Sequence, residues 1–374
     1  MEKPAKGLAD VVAASTALSD IDGQAGRLFY RGYDIHDLAG RISFEECVHL
    51  LLRGTLPTAD QLAGLTSELE ASRALPARVD GIARHLAADA SPMEALRTLL
   101  SVLSLGDPDK DSNDAAANQR KAVRLIAQMP TLVARYHHGR SGTTMPEADP
   151  SLSIAGNFLL QITGSRPEPV AAAAFDECLV LHADHTMNAS TFACRVCAAT
   201  LSDMHSAVVA GIGTLKGPLH GGANEAVMKS LLAIGSLPAV DGWVRGELDA
   251  GKKLMGFGHR VYKTEDPRAT HLRRLSKTLG ELAGNTEWYE MSVAMERLVL
   301  EIKGLYPNVD FFAASVYHSL GIPTDLFTPV FAISRMAGWT AHVIEQHADN
   351  RLIRPDSEYV GERDQKWIPI DERG

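Results

Sequence analysis

The 374-residue sequence is short of cysteine, of net positive charge and of long apolar runs, and each shortage removes a class of protein. Its four cysteines, Cys47, Cys178, Cys194 and Cys197, include only one close pair, so a four-thiolate zinc site lacks its second pair. Cys194 and Cys197 have the spacing of a redox pair. Their small apolar neighbours instead favour a helix carrying two buried thiols, in a reducing compartment. Lysine and arginine number 37 against 46 acids, a net charge of −9 that disfavours non-specific attraction to nucleic acid or anionic membrane. No run of about 18 uncharged apolar residues occurs, so no membrane-spanning helix is expected. The opening residues Met1 to Pro4 lack a secretory pattern and Asp10 interrupts the apolar stretch behind them, which makes the cytoplasm the expected location.

What is present is ordinary globular material: 45 % hydrophobic and 22 % charged residues, enough for two or three domains or one large domain with a smaller companion. Helix signals dominate. Ser43 with Glu46 and Thr58 with Gln61 read as capping boxes, and Ser91-Pro92-Met-Glu94 supplies a cap, a proline at the first helical position and an acid in the first turn. Further periodic stretches run at about 119–136, 169–183, 190–201, 204–216, 222–234, 267–283, 287–303, 309–320 and 328–348, with Pro130 expected to kink or divide the first. The segment 106–118 reads as an exposed loop. Strand signals are few: pieces near Leu28–Tyr30 and close to the C-terminus are candidates for pairing, and no βα alternation appears. The expected fold class is all-α.

One segment is charged against the trend of the chain. Between 252 and 277 stand eight basic residues, Lys252, Lys253, Arg260, Lys263, Arg268, Arg273, Arg274 and Lys277, against only Glu265 and Asp266. A solvated helix face accounts for Arg273 to Lys277. Around 252–268 the glycines at 256 and 258 let backbone approach a ligand, and the cations suit a small polyanion.

Three histidine motifs carry the candidate chemistry. In Leu181-His-Ala-Asp-His185 the two imidazoles are three residues apart, a spacing open to a metal site without a close third ligand, to an anion donor, or to core histidines. Gly217-Pro-Leu-His-Gly-Gly-Ala-Asn-Glu225 sets His220 among glycines before a helix, where the positive end of the dipole keeps an imidazole neutral, able to donate to a developing oxyanion; an incidental turn is the plain alternative. Gly256-Phe-Gly-His259 lacks the third glycine of a dinucleotide fingerprint, and its histidine among cations suits a dicarboxylate site. Asp310 in Asn308-Val-Asp310 is either a favourable first-turn acid or a carboxylate base tuned by apolar neighbours. Arg335, in an apolar helix, needs a carboxylate from protein or substrate, and Arg351 and Arg354 follow it.

From about Asp20 to Glu372 these segments, in this order, resemble the citrate synthase family, most specifically through Gly256-Phe-Gly-His-Arg-Val-Tyr-Lys-Thr-Glu-Asp-Pro-Arg268. The length resembles the short bacterial and archaeal branch. The resemblance implies a large helical domain, 1–219 with 323–374, and a smaller one, 220–322, hinged over the cleft. It implies that Asp310 removes a methyl proton from acetyl-CoA, that His220 donates to the enol oxygen and that His259 polarises the oxaloacetate carbonyl. His185, Arg268 and Arg335 would hold the oxaloacetate carboxylates, with Arg354 supplied by the second subunit of a homodimer. Lys263 falls at the position of a cation for the CoA phosphates, and Arg260, Lys252 and Lys253 are further candidates. Citryl-CoA would be hydrolysed to citrate and CoA, as in the tricarboxylic acid cycle, with no metal or other cofactor and no nucleic-acid or membrane partner.

Two features bear on the acyl group. Phe312-Ala313 stands where many relatives have Ser-Gly, a difference expected to alter the volume beside the acyl group, whereas His182 resembles the citrate branch rather than 2-methylcitrate synthases that use propionyl-CoA. A helical CoA- or anion-binding protein without catalysis and a histidine-based metalloenzyme are the readings from other classes.

Overall fold

Three capping boxes start helices where the sequence calls for them: Ser43, Thr58 and Ser91 each accept an amide at the third helical position while Glu46, Gln61 and Glu94 reach back to the cap. The computed structural model describes residues 6–8, 11–86 and 90–373. Among them are sixteen α-helices: α1 (Ile35–Leu38), α2 (Phe44–Arg53), α3 (Ala59–Ser72), α4 (Ala77–His85), α5 (Pro92–Ser104), α6 (Ala115–Ser141), α7 (Ile154–Thr163), α8 (Pro169–His182), α9 (Ala189–Ala199), α10 (Met204–Leu215), α11 (Ala223–Ile234), α12 (Val240–Asp249), α13 (Pro267–Leu282), α14 (Glu287–Lys303), α15 (Val309–Ser319) and α16 (Phe327–Ala348). The fold is all-α apart from one small sheet. None of these helices alone is long and apolar enough to cross a membrane.

The sheet departs from expectation. Leu28–Tyr30 does form a strand, but it pairs within the N-terminal region: β1 (Ser19–Asp22), β2 (Arg27–Tyr30) and β3 (Tyr33–Asp34) run antiparallel in that order, with Ser19 opposite Tyr30. The segment near the C-terminus has no strand, and from Asn350 onward nearly every residue is exposed. Pro130 does not divide its helix either. Residues Met129 to Ala134 are buried against neighbouring helices, and that packing outweighs the roughly 3 kcal/mol that an interior proline costs. The loop 106–118 ends earlier than expected because Asp114 caps α6, and Asp107 and Asp109 tie it down by pairing with Arg124 and Arg120.

Helix α16 is buried continuously from Phe327 to Val343 and packs on α2, α6, α8, α9 and α10, as befits a helix apolar on all faces. Helices α11 to α15 pack largely on one another, with α15 against α11 and α13, and α12 against α14. Cys194 sits where α9, α10 and α16 converge, and all four cysteines are free thiols: Cys47, Cys178 and Cys194 are buried and Cys197 is half-buried.

Gly211 makes that convergence possible, since a Cβ there would lie 2.6 Å from the Cys194 sulfur and 3.2 Å from the Trp339 ring. Gly211→Ala is therefore expected to destabilise the fold by about 1–3 kcal/mol through overpacking. Gly64, in α3 with nothing near its Cβ position, gives the opposite expectation: Gly64→Ala stabilises by up to about 1 kcal/mol. Urea unfolding of both variants checks the pair, and equal midpoints would contradict the packing argument.

Candidate active site

Four of the expected residues cluster where α8 ends, α13 begins and α16 passes. Ring centroids of His185 and His259 lie 5.3 Å apart, edge to face, with Tyr262 4.6 Å from His259 and hydrogen-bonded through its hydroxyl to His185 Nε2 at 3.2 Å. Arg268, at the second position of α13, pairs doubly with Asp266, Nε to Oδ1 at 2.9 Å and Nη2 to Oδ2 at 2.7 Å, and both side chains are buried. Burial works against the charge of Arg268, yet the Asp266 carboxylate more than offsets this and raises its pKa.

Arg335 is different. It is 1 % exposed, its Nε donates to the His182 carbonyl at 2.8 Å and its guanidinium lies 4.7 Å over the Phe331 ring, but no carboxylate among the described residues forms an ion pair with it. Burial lowers its pKa to about 10; Asp184 and Asp310, acting at longer range, oppose that shift, and Arg268 adds to it. A sealed cation in this state is a receptor for an anion.

Each candidate histidine is neutral, and for two of them the backbone fixes which nitrogen bears the proton. His259 Nδ1 accepts the amides of Val261 at 2.9 Å and Tyr262 at 3.2 Å, so its N–H is at Nε2. His220 Nε2 faces both the Ser190 Oγ at 2.8 Å and the Ser190 amide at 3.3 Å; the amide can only donate, which assigns Nε2 as the acceptor and the N–H to Nδ1. The Ser190 amide belongs to the first turn of α9, so His220 sits at the N-terminal end of α9 as well as ahead of the helix that follows it in sequence. Burial pushes both rings down to about 4, helped by Arg335 at His220 and by Arg268 at His259. His185 is driven well below its ordinary value by burial and then by Arg268, His259 and Arg335.

Asp310 and His220 line a cleft of about 550 Å³, whose walls include Leu254, Met255 and Phe257 and the lysines 252, 253 and 303. The Asp310 carboxyl opens on the cleft but is crowded by protein on its other sides, and this burial raises its pKa to about 7, against the pull of Arg268 and Arg335. Its position is set by Asn308, whose Oδ1 accepts the Asp310 amide at 3.0 Å while its Nδ2 donates to the Gly258 carbonyl at 3.1 Å. Gly256 and Gly258 both have positive φ, 82° and 76°, and this bends the chain so that Phe257 bridges to Pro307 beside the start of α15. The His259 turn and Asp310 are thereby held by one set of bonds.

The basic residues do not all converge. Lys252 and Lys253 reach the cleft, Lys252 drawn towards Glu247 at 2.8 Å. Arg260 and Lys263 are exposed and lie along the N-terminal hairpin instead, where the Lys263 amide donates to the Gly23 carbonyl at 2.9 Å and the Arg260 guanidinium approaches Gly7. Only the field of Lys263 reaches His259. Lys303, which also lines the cleft, escaped the sequence reading because it ends α14, outside the basic segment that closes at Lys277. Arg354 projects from the exposed C-terminal segment, 76 % exposed and 3.6 Å from Asp356, away from every other candidate.

One further expectation is corrected. Phe312 and Ala313 are fully buried and neither lines the cleft; Phe312 lies under the Arg273 guanidinium at 5.0 Å, so the cleft walls are made by other residues. His182 and His185 are engaged separately, His182 Nδ1 donating to the Cys178 carbonyl at 2.7 Å, and the described residues hold no group of three or more potential metal ligands. Tyr262 and Ser190 were missed: a tyrosine and a serine carry no signal until the fold brings them to a histidine.

Comparison with known proteins agrees with this geometry. The family model described as citrate synthase, C-terminal domain, matches residues 7–356. A citrate synthase of Haloferax volcanii is 51 % identical over 98 % of both chains, and a 2-methylcitrate synthase of Shewanella oneidensis is 42 % identical over 98 % of this chain and 97 % of its own. The structure of the ternary complex of carboxymethyl coenzyme A and oxaloacetate with citrate synthase from Thermoplasma acidophilum is similar with a TM-score of 0.93, at 34 % identity and covering all of both chains. The chain belongs to the citrate synthase family.

Proposed function

We propose that Asp310, His220 and His259 carry out the condensation of acetyl-CoA with oxaloacetate, and that His185, Arg268 and Arg335 hold the oxaloacetate. The enzyme is a citrate synthase: an acyltransferase that joins the acetyl methyl carbon to the oxaloacetate carbonyl and hydrolyses citryl-CoA to citrate and CoA. The observation that carries the residue assignments is the protonation pattern. One carboxylate with its pKa raised to about 7 faces the cleft with a neutral N–H donor, and a buried arginine without an ion-pair partner stands behind them.

The steps follow from that pattern. A thioester α-proton is weakly acidic, so Asp310 can take it only if the enol oxygen gains a donor as it forms; the Nδ1–H of His220 is that donor. The Nε2–H of His259 polarises the oxaloacetate carbonyl, and as the enol carbon attacks it the Nε2 proton passes to the new alkoxide and is replaced on His259 from water. Water then cleaves the thioester. The hydrogen bond that His185 Nε2 shares with the Tyr262 hydroxyl orients the ring for a substrate carboxylate. The lysines 252, 253 and 303 are placed for the phosphates of CoA, and Lys263 and Arg260, outside the cleft, for at most its far end. Helices α11 to α15 form the smaller domain, spanning about 220–322, which closes over the cleft and excludes water. The reaction needs no metal or redox cofactor. We place it in the cytoplasm, in keeping with four free cysteines, and in the tricarboxylic acid cycle.

Thiol release is the direct test. CoA should appear only when acetyl-CoA and oxaloacetate are both present, survive EDTA, and run with a higher kcat/KM for acetyl-CoA than for propionyl-CoA; release without oxaloacetate would mean a thioesterase, and a reversed acyl preference a 2-methylcitrate synthase. One methylene is worth only about 1–3 kcal/mol in an apolar pocket, so the ratio itself has to be measured. Asp310→Asn should lower kcat about 10²–10⁴-fold with oxaloacetate affinity nearly intact. In the wild type kcat/KM should rise as pH climbs through about 7, since the base must lose its proton, while His220 and His259, at about 4, stay neutral across that range. A folded Asn variant with near wild-type turnover would remove Asp310 from the mechanism.

The working unit is a homodimer in which Arg354 completes the neighbour's site. Two features support this: Arg354 stands apart from its own chain's cluster, and its segment exposes Val360 and Trp367, 88 % and 79 %. Mixing Arg354→Ala with Asp310→Ala chains should restore part of the activity, because a hybrid dimer holds one site with both residues intact. Demonstrated subunit exchange without recovery would refute the sharing.

A further inference from the structure

The loop that carries His185 is held from outside the site. Thr186, directly after it, has φ of 50°, a left-handed conformation that a β-branched residue adopts only when its surroundings impose it. The Thr186 amide donates to Ser19 Oγ at 3.0 Å, and Ser19 Oγ in turn donates to Asp184 Oδ2. One hydroxyl on strand β1 thus clasps both residues that flank His185. Opposite Ser19 in the sheet, Tyr30 grips the same loop, its hydroxyl donating to the Asp184 carbonyl at 2.9 Å and accepting the Asp184 amide at 3.2 Å.

The clasp also reaches Arg335. His342 Nδ1 accepts from the Arg195 guanidinium at 3.1 Å, so its N–H is at Nε2, and this donates to Asp184 Oδ2 at 3.3 Å. His342 and Arg335 are seven residues apart on α16, two turns along one face. Ser19, Asp184 and His342 are all buried, and Gly338, between the two, comes so close to the loop that a Cβ there would lie 2.4 Å from the Ala183 carbonyl oxygen and 2.5 Å from Asp184 Oδ1.

We propose that Ser19 is a positioning residue for oxaloacetate: through Asp184 and His342 it fixes His185 relative to Arg335, so that both meet the substrate at once. This rests on the assignment of His185 and Arg335 to oxaloacetate. Ser19 touches no substrate. It removes the freedom that the His185 ring would otherwise lose on binding, which is a gain in affinity from preorganisation.

The test is steady-state kinetics with oxaloacetate varied, on Ser19→Ala, Ser19→Thr and His185→Ala, with thermal unfolding of each. Ser19→Ala loses both hydrogen bonds, one of them to the Asp184 carboxylate, and should raise the oxaloacetate KM about tenfold, the scale of one net hydrogen bond, while kcat and the acetyl-CoA KM move far less. Ser19→Thr keeps the hydroxyl and should recover most of the loss. If His185→Ala weakens oxaloacetate but Ser19→Ala does not, the clasp is refuted and the site assignment stands. An unchanged KM in His185→Ala would overturn both. A Ser19→Ala protein with a lowered melting temperature and an unmoved KM would mark Ser19 as merely structural.

Discussion

A guanidinium sealed in protein with no ion-pair partner is costly to fold, and the arrangement around Arg335 is organised by that cost. Two buried arginines stand side by side in the site, but Asp266 neutralises one of them and leaves the other to a ligand. Their joint field does more than attract an anion. Burial, helped by Arg335 at His220, by Arg268 at His259 and by both at His185, keeps the three histidines uncharged, so each offers a single N–H, and that is what a carbonyl or an enol oxygen can use. The same crowding acts in the opposite sense on Asp310, where loss of water outweighs the pull of both arginines and leaves a base poised near neutrality. In the proposed mechanism burial therefore yields the neutral donors, the base and the anion receptor together.

Helices supply the positions and irregular segments supply the groups. His220 and His259 lie on glycine-bearing turns, His185 on a loop with a strained Thr186, and Asp310 one residue into α15. Three of them are fixed by backbone groups: His220 by the Ser190 amide of another element, His259 by the Val261 and Tyr262 amides of its own turn, and Asp310, through Asn308, by the Gly258 carbonyl. The continuously buried α16 joins these supports, since Arg335, Trp339 and His342 all lie on it; the Trp339 indole donates to Ser190 Oγ at 3.1 Å, next to His220.

Much of this was legible in the sequence, and the boundary has a physical reason. Caps are local, so Ser43, Thr58 and Ser91 announced α2, α3 and α5, and the apolar period announced α8 to α11 and α13 to α16. Glycines flanking single histidines marked His220 and His259, because such turns are wasteful without a ligand. Contacts across long sequence separation left no such mark. Ser19 reaches Asp184 from 165 residues away, and nothing in Ser19-Asp-Ile-Asp22 distinguishes it from any short strand. The basic run misled for a related reason: sequence proximity joined Lys252 and Lys253 to Arg260 and Lys263, but the chain reverses at Gly256 and Gly258 and sends the two pairs to different surfaces. Helices α4, α7 and α12 were not anticipated; each has ten residues or fewer, too short for the apolar period to stand out.

The central claim is that Arg335 is kept charged and unpartnered for an anionic substrate. Melting temperature with and without oxaloacetate, for wild type and Arg335→Met, tests it most directly. Exchanging a buried, unpaired guanidinium for an apolar side chain of similar length removes the cost of desolvating its charge, and a ligand that binds only the folded state raises the melting temperature. The account expects Arg335→Met to melt no lower than wild type without ligand and to lose the rise that oxaloacetate gives. A variant that melts well below wild type yet keeps the full rise would contradict it, because Arg335 would then serve the fold and not the substrate.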